Sequence, residues 1–577
     1  MSLLARSALA DPQSLTGAYS PYEQQAIGEA ETELGMRVDP SPEGKTIESI
    51  EFMRREPIDK HDPLPAAIDV VHTTTRPWVL RRELVAREGQ AWSTVVVDES
   101  ARNLRKLPQL SLVVCVPMVG SAPDRVRLVV ITKDVWSLYV DFDVAVTSGG
   151  LESLTLEPKE SNVAGLQHTA LARFVLQPET ISLGASYRIP RLDGRWIDAL
   201  VDANVVVNRA SGEPEGTFGT ASAGRPLVTS RTEWGWSTKT TFSNQLVRRY
   251  VNASVATFTP SAPGAMPVPW VYRERSFAQD AKLTRSFGWE TKNDFSVGAY
   301  FSHARYVVPP DASDPESIRE FVRVATPTGE DRVGPFVQWH GYANDYLRTF
   351  DLDTLGLQED HRLGHDLWLR AYPVLRALGS SRNLFGTYGG AAYAIPLGDG
   401  LARAALESTL ETTADGLSDA SVKAAFGAVS PRLGLGRFVF QATFLDRFEN
   451  YLNARSFVGG ESFLRGYPSR YLSGRDLVAT NLEYRTRSID LAAVHFGAVL
   501  FYDVADAFDE PGDLAPKHAI GAGLRVVFPQ IERAVLRFDV GVPVSAEPRP
   551  ADVPPFSFFV AFQQAFSLPT VGDERGP

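Results

Sequence analysis

Few residues in this chain have the types and spacing that chemistry needs. His361 and His365 in EDHRLGHD have the i, i+4 spacing of a helical zinc site, but Gly364 lies between them and a strand pattern follows. Gly434 to Arg437 holds two glycines of a phosphate loop, with no helix after it. No serine stands in a nucleophile elbow with histidine and aspartate in a defined arrangement. The single cysteine, Cys115, lies in the apolar run LSLVVCV, and one thiol makes neither an internal disulfide nor a cysteine metal site. The chain is therefore expected to have no catalytic residue, no metal and no cofactor. What remains is electrostatic. In GGESFLRGYPSR (459–470) a lone arginine stands between aromatic residues and glycines. An exposed turn has no use for Phe463 and Tyr467, and a packed strand does not carry Gly459, Gly460 and Gly466 so close together. The stretch reads as a shaped loop that presents Arg465.

The elements that position such a loop are strands. From about Tyr139 to Phe566 apolar and polar residues alternate in segment after segment. Val201, Ala203, Val205 and Val207 interleave with Asp202, Asn204 and Asn208, and Ile520, Ala522, Leu524, Val526 and Phe528 interleave with Gly521, Gly523 and Arg525. The polar face carries Glu483, Arg485, Asp503, Arg525, Arg537 and Asp539, too many charges for a dry sandwich core and natural for a watered lumen. This is the two-residue period of a transmembrane β-barrel. Hydrophobic residues make up 44% of the 577, yet no run of 18 apolar residues occurs, which excludes a helical membrane protein. The net charge of -11 leaves no basic excess for nucleic acid. Polar insertions such as Asn208 to Gly219 suit outer loops.

Residues 1–10 end in Ala8-Leu9-Ala10 and read as a truncated signal peptide. Residues 11–44 form a helix, marked by Tyr22, Ile27 and Leu34, and a linker from Asp39 to Thr46. From 45 to 135 a strand at Ile47, Ile50 and Phe52 precedes a helix over Thr74 to Arg87 and a second at Val97, Ala101, Leu104 and Leu107. Two alternating runs, Leu110 to Val116 and Val126 to Val130, close the unit. This order of strand, helix, helix, strand, strand resembles a POTRA module, the periplasmic domain of outer-membrane assembly and secretion barrels.

Residues 136–566 follow as the barrel, and 567–577 as a tail. Within them GGESFLRGY, NLEYR (481–485), FYD (501–503), GAGLR (521–525), RFDVGVP (537–543) and a last strand ending in phenylalanine resemble, in that order, the C-terminal half of the BamA/TamA superfamily, also called the bacterial surface antigen family. The resemblance is close over 459–566 and loose over the remaining barrel. It implies a mainly β fold, a 16-stranded antiparallel barrel behind one POTRA-like domain. It also implies a loop, carried by Leu464, Arg465, Gly466 and Tyr467, that folds back into the lumen, where its arginine meets acidic residues. The two-residue period puts Glu483 and Asp503 on the inner wall, with Leu482, Tyr484, Leu500 and Tyr502 toward lipid. Arg525, Arg537 and Asp539 would support them. ESNVAGLQ (160–167) is similar to the family's first-strand Asn-x-x-Gly pattern. This places the first strand over Asn162 to Val175, with Asn162 and Gly165, and the last over Phe556 to Phe566, with Phe562 and Phe566, as a gate. A member would sit in the outer membrane of a Gram-negative bacterium, with its N-terminal domain in the periplasm. It would receive unfolded outer-membrane or secreted client proteins, work with periplasmic or lipoprotein accessory subunits, and bind no nucleic acid. The alternatives are a passive porin-like or structural barrel, a two-partner-type secretion pore, and a barrel-embedded hydrolase, for which no catalytic serine or metal is found.

Overall fold

The computed structural model describes residues 19–58, 73–192, 195–309, 314–461, 463–491, 494–544, 550 and 553–572. The signal-peptide stretch 1–10 and the end of the tail, 573–577, lie outside them. The N-terminal part is a three-stranded sheet with helices on both faces. Strands β1 (Thr46–Arg55), β2 (Leu110–Val119) and β3 (Arg125–Asp134) lie in the order β1-β3-β2, β1 parallel and β2 antiparallel to β3. Helices α2 (Pro77–Glu83) and α3 (Thr94–Arg105) belong to the first face, where Leu80, Val97 and Leu104 close over Ile47, Leu128 and Val130. Helix α1 (Pro21–Leu34) covers the second face with Ala26, Ile27 and Ala30 against Val114, Met118, Val129 and Ile131. Ser20 and Glu23 form a capping box at its start, and Gly35 ends it in the left-handed conformation. Residues 21–34 are thus a third layer of this unit. The helix expected over Thr74 to Arg87 is shorter, because the amides of Val85 and Ala86 are taken by Ser100 Oγ, both at 3.0 Å, and the chain turns extended at Leu84.

From Leu138 the chain winds into one closed antiparallel barrel of 20 strands among the described residues. This corrects the expected 16. The smaller number came from the resemblance of the C-terminal segments, and alternation alone does not count hairpins. Two strands, Leu138–Thr147 and Gly150–Val163, are complete or nearly so before Asn162 is reached. Residues 208–219, expected as an outer loop, are the tip of a hairpin whose second strand, Pro214–Arg225, has already begun. The alternation has its physical counterpart around the wall. Val201, Leu283, Phe295, Val297 and Leu500 are exposed on the outside, while Glu483, Asp503 and Asp539 are buried within. Strands Val271–Phe287 and Thr291–Val307 have 17 residues each, longer than a bilayer needs, and rise beyond it. Helix α4 (Pro315–Ala325) packs Phe321 and Ala325 against Val268 and Trp270 over that end of the barrel.

The N-terminal unit lies across the opposite end and touches turns around much of its rim. Arg105 donates to Asp360 at 2.7 Å, Arg348 to Asp98 at 2.7 Å, Arg191 to Glu83 at 3.1 Å, and the Ser230 amide to Glu99 at 2.6 Å. Gln109 reaches the Ser161 carbonyl at 2.7 Å, and Arg533 the Arg105 carbonyl at 3.2 Å. Helix α1 joins in through Glu23, which accepts from Gln358 Nε2 at 3.1 Å. Burial pushes the Glu23 carboxyl up to about 7, against the pull of the Ser20 amide and of Arg105. A carboxyl raised in the folded state adds stability that is fully present below its unfolded value and is lost as pH rises through about 7. Amide hydrogen exchange in 21–34 should therefore accelerate, beyond the intrinsic base-catalysed increase, as pH rises from about 5 to about 7, with no further extra increase above it. Glu23→Gln should remove that extra acceleration.

Candidate functional site

The loop 459–475, between strands Gly436–Asn450 and Asp476–Thr486, folds inward rather than standing over the barrel. Its backbone is shaped by Gly459 (φ 131) and Gly460 (φ 64), and the Gly460 amide donates to the Tyr467 carbonyl at 3.0 Å. Leu464 and Tyr467 bury against Leu477, Ala479, Ala505 and Ala519 of the wall, so two apolar anchors flank Arg465. Tyr467 also meets Tyr471, ring centroids 5.5 Å apart. Gly466 is where loop and wall touch. A Cβ there would stand 2.7 Å from Ala519 Cβ and 2.8 Å from the Pro543 nitrogen.

Arg465 has no exposed surface. Its Nε and Nη2 donate to the two oxygens of Asp503 at 2.9 and 2.8 Å, its Nη1 to Glu483 Oε1 at 2.5 Å, and its own amide to Asp503 Oδ2 at 3.2 Å. Asp539 Oδ2 stands 3.6 Å from Nη1. The fork is thus bidentate to one carboxylate and shared with a second, a geometry that a lysine ammonium does not reproduce. Burial alone would lower the guanidinium's pKa, and the carboxylates of Glu483 and Asp503 raise it above its ordinary value. The charge is therefore permanent.

The expected supporting residues meet in the same network. Arg525 donates to Asp539 at 2.6 Å, Arg537 to Asp539 at 3.0 Å and to Glu461 at 2.5 Å, and Arg485 to Glu483 at 2.7 Å. Arg465, Arg485, Arg525 and Arg537 thereby face Glu461, Glu483, Asp503 and Asp539. Equal numbers of opposite charges fill the patch, which is what a buried ionic network requires. The glycines of GAGLR make the wall thin enough to hold it. A Cβ on Gly521 would fall 2.1 Å from the Phe501 ring, and one on Gly523 2.0 Å from Asp539 Oδ1.

Two contributors to this network, one of them expected only at the gate, were not assigned to it from the sequence. Asn481 donates to Asp503 Oδ1 and to the Phe463 carbonyl, both at 2.9 Å, tying loop to wall. Phe566 is the larger surprise. The last strand is Ser557–Phe562, shorter than the expected 556–566. At Gln563 the backbone enters the left-handed region (φ 74), its amide donates to the Val535 carbonyl at 2.7 Å, and the chain turns into the lumen. Phe566 then lies 4.9 Å from the Arg465 guanidinium, which also has the Phe501 ring at 3.6 Å, and its carbonyl accepts from Arg485 at 3.1 Å. Gln564 accepts from Arg525 at 3.1 Å. The tail continues across the lumen until Val571 packs on Ala392 and Ala405 and the Gly572 amide reaches Tyr388 Oη at 3.2 Å. A signal was present in the sequence: polar Gln563 and Gln564 interrupt an otherwise apolar strand.

The expected gate strands need correction. Residues 162–175 are not the first strand. Asn162 closes the second strand, Gly165 stands in the turn after it, and His168–Leu176 is the third strand. This Asn-x-x-Gly turn is a cradle for the N-terminal unit. Asn162 Nδ2 donates to the Thr73 carbonyl at 3.0 Å and to Thr75 Oγ1 at 3.1 Å, and a Cβ on Gly165 would stand 2.8 Å from the Thr74 carbonyl oxygen. The last strand closes on Leu138–Thr147, through Phe558↔Val146, Phe559↔Ala145 and Val560↔Val144. Phe562 lies beside Phe142 at 5.8 Å.

His361 and His365 lie on a strand, Glu359–Val374, so their Cα atoms are about 13 Å apart and form no zinc pair. Asp353, Glu359 and His361 do bring ligand atoms within 4.8 Å of one another. Glu359, however, already accepts from the amides of Leu352, Asp353 and Thr354 and from His361, a set of bonds that ties down the loop.

No protein-family profile and no curated protein sequence matches this chain. Solved structures do. BamA from Haemophilus ducreyi lacking POTRA domains 1–3 is 13% identical, with a TM-score of 0.32 over 89% of this chain and 84% of that one. CdiB from Escherichia coli is 14% identical, with a TM-score of 0.39 over 91% and 77%. The ferric-catecholate import receptor Fiu from K12 E. coli is 9% identical, with a TM-score of 0.36 over 78% and 86%. These are likenesses of large β-barrels, and they assign no activity.

The geometry sets an order of sensitivity. Arg465→Ala should cost about 3 to 5 kcal/mol, because it leaves Asp503 and Glu483 buried without their partner, and it should open 459–470 to protease. Phe566→Ala should cost less, about 0.5 to 2 kcal/mol for one lost cation–π face. Denaturant unfolding of the detergent-solubilised protein measures both, and equal effects would remove Phe566 from the cage.

Proposed function

We propose that this protein is an outer-membrane barrel that takes unfolded client polypeptides from the periplasm and assembles them into the membrane, through a gate between its first and last strands. The N-terminal unit, with its strand-helix-helix-strand-strand order, serves as a POTRA-like periplasmic domain. The observation that carries the reading is the seam. Leu138–Thr147 is paired along its whole length with Gly150–Val163 on one side, but on the other only three residue pairs join it to Ser557–Phe562. The tail leaves the wall at Gln563, so Leu138 to Asp143 has no ladder partner on the seam side among the described residues.

Unpaired backbone at membrane depth is costly unless something pairs with it, and an incoming strand does so with its own donors and acceptors. A passive barrel has no use for such a seam. The lumen offers the poorer route, since the tail, the inward loop and the N-terminal unit all lie across it. The clients are unfolded outer-membrane proteins, and accessory subunits would dock on the N-terminal unit.

The test is a reversible lock. In a Cys115→Ser background, cysteines at Val144 and Val560, which are register partners, should form a disulfide. With the seam closed, insertion of an unfolded barrel client into proteoliposomes should stop, and reductant should restore it. Full insertion through a locked seam would overturn the gate and move transport to the lumen, as in a secretion pore.

A further inference from the structure

The hairpin of strands Val271–Phe287 and Thr291–Val307 carries Ala281, Leu283, Val297 and Ala299 on its outer face, interrupted by Gln279 and Arg285, and this largely apolar span is bracketed by aromatic pairs. Phe287 meets Phe295 at one end, with ring centroids 6.0 Å apart, and Phe277 meets Phe301 at the other, 5.9 Å apart. The stretch Phe277–Phe287 is eleven residues, the length of strand that crosses a bilayer's hydrocarbon. Aromatic girdles mark the two interfaces of such a span. On the same face, just past Phe277 and away from the N-terminal unit, come Arg275 and Arg273, with Arg305 on the neighbouring strand.

Arg275 and Arg305 are direct cross-strand partners. Like charges placed opposite each other on one face are destabilising. Among the described residues one carboxylate stands within ion-pair distance of these two arginines. Asp331 accepts from Arg305 at 2.7 Å and from His303 at 2.5 Å. Arg273 donates to the Glu215 carbonyl and to Asn244 Oδ1, both at 3.3 Å, and the Glu215 carboxylate that feels its charge is already paired with Arg248 at 2.5 Å. Among the described residues Arg275 has no ion-pair partner, and it is exposed. The strip is therefore short of anionic charge at a level where solvent gives way to headgroups.

We propose that Arg273, Arg275 and Arg305 bind the phosphorylated headgroup of an outer-leaflet lipid. Guanidinium forks match phosphate oxygens in pairs, and a phosphate between Arg275 and Arg305 relieves their repulsion. The apolar span directly below favours a lipid over free phosphate, since one molecule then satisfies both surfaces. The site rests on the outer-membrane reading only for its orientation, with the N-terminal unit in the periplasm and these arginines in the outer leaflet.

The probe is diphosphorylated lipid A, added to the full-length protein in detergent and followed by native mass spectrometry. The wild-type protein should retain it, and R275Q/R305Q should bind it about tenfold more weakly or worse, having lost several charge-assisted hydrogen bonds. Lipid A stripped of its phosphates should bind both proteins equally poorly. Equal retention by wild type and variant, or no retention by either, would overturn the site. Displacement by inorganic phosphate at concentrations matching lipid A would reduce it to a free-anion site and so overturn the lipid assignment. Both proteins should also shift on gels before and after boiling. Loss of that shift in the wild type would instead sink the membrane-barrel reading, whatever the lipid result.

Discussion

A guanidinium stripped of all its water is tolerable only where carboxylates and aromatic faces replace the lost hydration, and the barrel interior is arranged around that demand at Arg465. Two carboxylates accept its hydrogen bonds, two rings lie against it, Arg485 shares Glu483, and Arg525 and Arg537 hold the neighbouring Asp539. These partners come from four strands and the tail. Strands Asp476–Thr486, Val494–Phe508, Lys517–Val527 and Leu536–Val544 supply the wall, and the tail supplies the lid. Their relative registers are set once this one side chain is satisfied. Ion networks of this kind specify geometry more than they add net stability, and here the geometry specified includes the direction of the inward loop and the departure of the tail from the wall.

That departure links the lock to the seam. By turning in at Gln563 to reach Arg465, the chain shortens the last strand and leaves the lower half of the first strand unpaired. The interior arginine and the weak edge are two ends of one arrangement. The N-terminal unit bears on the same region. It holds the turn at Asn162 and Gly165, and Gln109 reaches the Ser161 carbonyl, next to the strands whose edge is open.

The sequence allowed some of this to be read and hid the rest, for physical reasons. A period of two decides which wall a side chain faces, so Glu483 and Asp503 could be placed beside one lumen arginine from spacing alone. The same period says nothing about how many hairpins there are or which strand pairs with which. The strand count was missed for that reason, and the Asn162 pattern was mistaken for a beginning when it marks a rim turn. Alternation also runs on through Phe566, because nothing local forbids a longer strand there. What bends the chain away is a side chain far upstream in sequence, visible only once the barrel has closed. Helix α1 was legible as a helix, but its partner face on the sheet was not, since Ala26, Ile27 and Ala30 do not reveal what they cover.

Phe566 also gives the molecule a direction in time. A chain emerging from its N-terminus contains Arg465, both carboxylates and Phe501 before the aromatic face that completes the cage. A copy truncated upstream of Phe566 would hold the whole ionic network with one of the two rings at its central arginine missing. The cage therefore closes last, and it distinguishes a polypeptide made through its final strand and beyond from one that stopped early.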